Sequence, residues 1–165
     1  MTAGAHPGAP AGAGMKAVVM AGGEGTRLRP MTANQPKPLL PVVNRPIMEH
    51  VLRLLRRHGF TDTVVTVQFL ASLIRNYFGD GDELGMNLQY ATEEKPLGTA
   101  GSMKNAEAAL RDSRFVVISG DALTDIDLTA MARFHEANNA LVTVALKRVP
   151  NPLEFGIVNT ADDGR

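Results

Sequence analysis

Short apolar runs alternate with helix-patterned stretches at least four times along this chain. That alternation predicts an α/β fold: a mostly parallel sheet with helices on both faces. Ala17-Val18-Val19-Met20-Ala21 reads as the first buried strand. Apolar or β-branched runs at 63–67, 87–91, 115–119, 141–146 and 155–159 read as further strands. A helix is expected to start at Asn44-Arg45-Pro46, to carry Ile47, Val51, Leu54 and Leu55 on one stripe, and to close at Gly59. Arg53, Arg56 and Arg57 fall mostly off that stripe and read as a solvated face. Further helices are expected at 70–78, at 101–110 with Met103, Ala106 and Leu110 inward, and at 128–137 with Asp127 as N-cap. Proline-rich 31–43 reads as an ordered loop and 79–85 as a polar turn.

Ligands of such sheets bind beyond the carboxyl ends of the strands. Four polar or flexible elements fall there: the glycine turn after the first strand, Gln68 after the second, 93–98 after the third, and Asp121 after the fourth. The glycine turn is Gly22-Gly23-Glu24-Gly25-Thr26-Arg27. Three glycines in four residues allow φ > 0 and close approach to a ligand. Successive free N–H groups in such a turn form a nest for anionic oxygens. Arg27 adds a planar fork of donors suited to phosphate. Lys37 follows between Pro36 and Pro38, which restrict its backbone. The spacing is neither that of a Walker A loop nor that of the dinucleotide fingerprint.

Composition narrows the partners. The 165 residues suffice for one domain with a real core, and 17 basic side chains balance 17 acidic ones. A neutral chain lacks the basic surplus that nucleic-acid binding needs. There is no cysteine, which fits a reducing compartment, and no apolar run approaches the ~20 residues of a membrane span. Residues 1–14 are nearly all Ala, Gly and Pro, without the basic and apolar regions of a secretory signal. They read as a disordered lead before a catalytic region over 15–165, or as residues preceding a natural start at Met15. The expected location is the cytoplasm.

Gly22 to Pro30, followed by Pro36-Lys37-Pro38-Leu39-Leu40-Pro41-Val42, closely resembles the signature of the sugar-1-phosphate nucleotidylyltransferases. Glu93-Glu94-Lys95-Pro96-Leu97-Gly98-Thr99-Ala100-Gly101-Ser102 looks most like the mannose-1-phosphate guanylyltransferase branch. The resemblance runs from about Met15 to the last residue. It implies a Rossmann-like three-layer sandwich of the nucleotide-diphospho-sugar transferase type. It also implies transfer of a nucleotidyl group from a nucleoside triphosphate, GTP, to a sugar 1-phosphate, mannose 1-phosphate, with pyrophosphate released. Other readings are a glucose-1-phosphate thymidylyl- or uridylyltransferase and a non-catalytic subunit that senses nucleotide sugars. A homo-oligomer of the full-length protein is left open.

On this resemblance Arg27 and Lys37 are the catalytic cations. Ala21, Gly22, Gly23, Gly25, Thr26, Gln68, Leu97 and Gly98 hold the nucleotide, Gly156 meets the sugar, and Asp121 holds Mg²⁺. Each has a plainer alternative. Gln68 is also what an ordinary strand end carries, Asp121 also suits a turn, and Arg29 reads equally as an assistant or a solvated charge. Asp125 and Asp127 read as turn and cap residues, and Glu93 and Glu94 as solvated loop charges. His6, His50, His58 and His135 show no metal-ligand spacing. The Asp163-Gly164 pair is a hairpin signal whose returning strand is not in the sequence, so the region is expected to be C-terminally incomplete and to have little activity alone.

Overall fold

A computed structural model describes residue 12, residues 14–151 and residues 156–161. Among the described residues six strands and five α-helices follow one another: β1 (Lys16–Met20), β2 (Pro41–Val42), β3 (Arg45–Pro46), α1 (Ile47–Arg57), β4 (Asp62–Val67), α2 (Ala71–Phe78), β5 (Asn87–Thr92), α3 (Gly98–Asn105), α4 (Glu107–Leu110), β6 (Phe115–Ser119) and α5 (Leu128–Ala137). Four strands form the main sheet in the order β5-β4-β1-β6, and every pairing in it is parallel.

Burial on both faces explains why β1 and β4 read as runs of apolar and β-branched residues. Ala17, Val18 and Val19 have no solvent exposure, and Val64, Val65 and Val67 are equally enclosed. One face packs on α1, α2 and α5 through Met48, Val51, Leu52, Leu55, Ile74, Phe78, Leu128 and Ala132. The other packs Val18 and Val64 on Ala106 and Leu110 of the α3–α4 region. Helices therefore cover both faces, as the strand–helix alternation required. Asp127 caps α5 as expected: its Oδ1 accepts from the Ala130 N–H at 2.9 Å.

The structure departs from the sequence expectation in four places. Residues 41–46 form a two-stranded hairpin, β2 with β3, instead of continuing loop and opening a helix. Its turn residues Val43 and Asn44 both have positive φ, the geometry of a tight hairpin turn. The helix expected at 101–110 starts earlier, at Gly98, and breaks at Ala106 into α3 and α4. Residues 141–146 form no strand; Leu141 is 99% and Val142 75% exposed. A β-branched run becomes a strand only where a neighbour pairs with it and covers it. The strand expected at 155–159 begins outside the described residues, and 156–159 are irregular.

The lead at 1–14 lies mostly outside the described residues. Gly12 is described and buried, its N–H donating to the His58 carbonyl at 3.1 Å. No helix among the described residues is long and apolar enough to cross a membrane.

Candidate nucleotide-binding site

The strand order reverses direction between β1 and β6, and a cavity of about 750 Å³ opens beyond their carboxyl ends. Its wall contains Ala21, Gly22, Gly23, Gly25, Thr26, Arg27, Lys37, Gln68, Leu97, Gly98 and Asp121. Gly156 stands apart: it is exposed, with no atom within 4 Å of where a Cβ would lie. The structure thus gathers all the expected site residues except that one.

The glycine turn is held from below. The Ala21 N–H donates to the Thr66 carbonyl at 2.9 Å, so the chain leaves the sheet only after Ala21. Gly25 has φ 63°, a left-handed conformation that favours glycine. Thr32, fully buried, donates its hydroxyl to the Gly25 carbonyl at 2.8 Å, and the Leu28 N–H donates to the same oxygen at 2.9 Å. A Cβ on Gly25 would lie 3.0 Å from Thr32 Cγ2 and 3.1 Å from Lys37 Cβ. Only Gly25 of the three uses positive φ; Gly23 faces open space. Arg27 sits in a short 3-10 turn, Thr26–Leu28, exposed and without a hydrogen-bond or ion-pair partner among the described residues. Arg29 is not on the cavity wall and pairs with Glu24 at 3.6 Å.

Lys37 is positioned more firmly. It opens a second 3-10 turn, Lys37–Leu39, whose Pro38 and Leu39 are buried. The Ile47 N–H donates to the Leu40 carbonyl at 3.0 Å and ties this turn to α1. Lys37 Nζ lies 2.6 Å from Asp121 Oδ2, and the Ser119 hydroxyl donates to Asp121 Oδ1. Burial pushes the Asp121 carboxyl up, but hydrogen bonds from Lys37 and Ser119, with the Lys37 charge, outweigh it and hold the group below the usual carboxylate range. Gly120 lets this segment approach β1: its N–H donates to the Met20 carbonyl at 2.8 Å, and a Cβ there would meet that oxygen at 3.1 Å.

Among the described residues, no three His, Cys, Asp or Glu side chains gather as a metal cage. Of the three carboxylates on the cavity wall, Glu24, Glu93 and Asp121, the last suits a hard cation that takes its remaining ligands from phosphate oxygens and water. Such a donor set fits Mg²⁺ arriving with a triphosphate rather than an ion held by protein alone.

Two groups on the wall were not legible as part of it. Ser119 reads as the last residue of a strand, yet it holds Asp121. Glu93 is not a solvated loop charge: it is buried on the cavity wall, its backbone N–H donating to the Val67 carbonyl at 2.9 Å. The rim position just past β5 was the available signal. Glu94 is exposed, as expected.

Residues 16–165 match a family model described as nucleotidyl transferase. A UTP–glucose-1-phosphate uridylyltransferase of Synechocystis sp. is 41% identical over 92% of this chain and 42% of its own length. A mannose-1-phosphate guanylyltransferase of Mycobacterium tuberculosis is 40% identical over 90% of this chain and 42% of its own. The chain thus spans well under half the length of these relatives. A crystal structure of HddC from Yersinia pseudotuberculosis, complexed with GMP-PN, aligns with a TM-score of 0.66 at 26% identity, over 73% of this chain and 54% of that one.

Proposed function

We propose that this chain, which belongs to the nucleotidyl transferase family in its sugar-1-phosphate branch, carries the nucleotide half of an enzyme joining GTP to mannose 1-phosphate. The observation that carries this reading is the convergence of the glycine turn, Arg27, Lys37 and Asp121 on one cavity at the sheet's rim. Support for the guanylyl assignment comes from the 93–102 segment and from the Mycobacterium relative.

The reaction is displacement at the α-phosphorus. A phosphate oxygen of the sugar 1-phosphate forms the new P–O bond. The bond between the α-phosphorus and the bridging oxygen breaks, and pyrophosphate leaves with the electron pair. The nucleophile's second pKa is about 6, so it is already ionised near neutral pH and needs no general base. The barrier is repulsion between anions plus misalignment, which positioning and fixed positive charge lower.

Each residue has a part in that. The Gly22–Thr26 backbone cradles phosphate oxygens. Arg27, without a hydrogen-bond or ion-pair partner among the described residues, neutralises the departing pyrophosphate. Lys37 stabilises charge at the α-phosphate, and Asp121, kept ionised, would hold Mg²⁺ and keeps Lys37 in place. Mg²⁺, when bound, screens the phosphate charges. Gln68, Leu97 and Gly98 line the base end, where Gly98, with φ 69° and open space around it, allows close backbone approach.

Pyrophosphate release decides the substrates. The protein expressed from its complete reading frame is assayed with GTP, UTP, dTTP and ATP against mannose 1-phosphate and glucose 1-phosphate. GTP with mannose 1-phosphate is expected to give a kcat/KM at least about tenfold above every other pair, the worth of one good polar contact. A best pair of UTP with glucose 1-phosphate replaces the assignment by that of the Synechocystis relative, and a best pair of dTTP with glucose 1-phosphate replaces it by a thymidylyltransferase. No product from any pair removes the enzyme reading.

A further inference from the structure

Both carboxylate oxygens of Asp121 are engaged. The Ser119 hydroxyl donates to Oδ1, and the Lys37 ammonium lies 2.6 Å from Oδ2. The two donors are held differently. Ser119 is the last residue of β6, in register with Met20 of β1. The Gly120 N–H donates to the Met20 carbonyl at 2.8 Å, and the Ala122 N–H donates back to the Ser119 carbonyl at 3.2 Å. A closed turn fixed to the sheet therefore carries Asp121 beside Ser119. Lys37 reaches Oδ2 from another element, where the 3-10 turn holds its backbone and a flexible stem carries the charge. Among the described residues Lys37 has no other ion-pair partner. Its side chain and that of Asp121 are each 31% exposed, so water and ions reach the pair.

We propose that Ser119 is the positioning residue of the cation site: it keeps Asp121 fixed through Oδ1 while Oδ2 passes from Lys37 to the divalent cation. The loaded half of this exchange rests on the reading of the cavity as a triphosphate site. An ammonium and a divalent cation repel one another and compete for one oxygen. In the empty chain Lys37 thus occupies the cation's ligand. Once Asp121 gives Oδ2 to the cation, Lys37 has no protein anion left. A phosphate held by the glycine turn on the same wall becomes its partner. The ammonium is freed for the α-phosphate only when cation and nucleotide are both there. With Lys37 as its sole tether, Asp121 would lose its orientation at that moment. The Ser119 hydroxyl carries no charge, so it holds the carboxylate without opposing the cation.

Mn²⁺, which also takes carboxylate and water ligands, is the probe, and its free concentration is read by electron paramagnetic resonance. The protein from its complete reading frame is titrated with and without a saturating non-hydrolysable GTP analogue. Without nucleotide, Lys37→Met is expected to bind Mn²⁺ about tenfold or more tighter than the wild type. With the analogue the two are expected to agree within about threefold, because Lys37 has left Oδ2. A lysine that stayed on Asp121 would oppose the cation in both states alike. Ser119→Ala is expected to weaken Mn²⁺ binding to the analogue complex about tenfold, and Ser119→Thr, which keeps the hydroxyl, to stay within about twofold of the wild type. A merely structural Ser119 would leave the affinity of a folded Ala variant unchanged. Thermal melts identify the folded variants; Lys37→Gln and Ser119→Cys, whose thiol donates weakly, stand in for any that does not fold. Equal affinities of wild type and Lys37→Met without nucleotide, the same Lys37→Met effect in both states, or wild-type affinity in a folded Ser119→Ala overturns the proposal. An analogue that does not bind removes the triphosphate reading, and the nucleotide-free comparison still decides whether Lys37 occupies the cation's ligand.

Discussion

Arg27→Ala is expected to lower kcat about 10²- to 10³-fold and to leave the melting temperature within about 2 °C of the wild type. The two halves of that result come from one observation. Arg27 lines the cavity, is exposed, and has no partner among the described residues. Removing it breaks no side-chain hydrogen bond or ion pair among the described residues, and an exposed substitution of that kind changes stability by about 0.5 kcal/mol or less. A fixed cation aimed at charge that develops on a leaving group is worth about 10²- to 10³-fold or more in phosphoryl-type transfer. Arg27→Lys keeps the charge but loses the planar fork, so it should recover only part of the loss. Steady-state pyrophosphate release and a thermal melt read both halves. A kcat within about threefold of the wild type would remove Arg27 from the chemistry.

Gly25→Ala is expected to act on fold and function together. The backbone at Gly25 is left-handed, which costs an ordinary residue about 1–2 kcal/mol. The added Cβ meets Thr32 Cγ2 at 3.0 Å and Lys37 Cβ at 3.1 Å, and Thr32 is fully buried and cannot retreat. Crowding of that kind typically costs a further 1–3 kcal/mol or so. The expected destabilisation is about 2–4 kcal/mol in denaturant unfolding. The strain is relieved by moving Lys37, which uncouples it from Asp121, so kcat should fall about 100-fold as well. Gly23→Ala is the control. A Cβ there meets nothing within 4 Å and the backbone is not left-handed, so stability should stay the same or rise slightly while triphosphate affinity falls. Equal stability of the two variants would contradict the close packing of Thr32 and Lys37 on the turn.

The contrast between these glycines shows where the sequence was readable. Three glycines close together announced a flexible turn, but not that only Gly25 needs its freedom for the fold. β1 and β4 were legible because strands buried on both faces are built of apolar and β-branched residues, and β6 was legible from the same composition although Phe115 and Val117 are exposed. α1 and α5 were legible from their spacing, and Asp127 from its cap position. The hairpin at Pro41–Pro46 was not, because Val43 is a poor residue for positive φ and hides the turn. Residues 141–146 have the composition of a strand, but a strand is a relation between neighbours, and their side chains lie open to solvent. Glu93 looked like a surface charge because charged residues usually are. Its enclosure depends on β4 carrying the pairing one residue past β5, which no local pattern displays.

A structure of the protein with a non-hydrolysable GTP analogue and Mg²⁺ tests most directly whether one triphosphate occupies this rim. The phosphate chain is expected to lie against the Gly22–Thr26 backbone, with the Arg27 guanidinium and the Lys37 ammonium each within about 4 Å of a phosphate oxygen. An analogue bound outside this cavity, or one whose phosphates touch neither cation, would contradict the account.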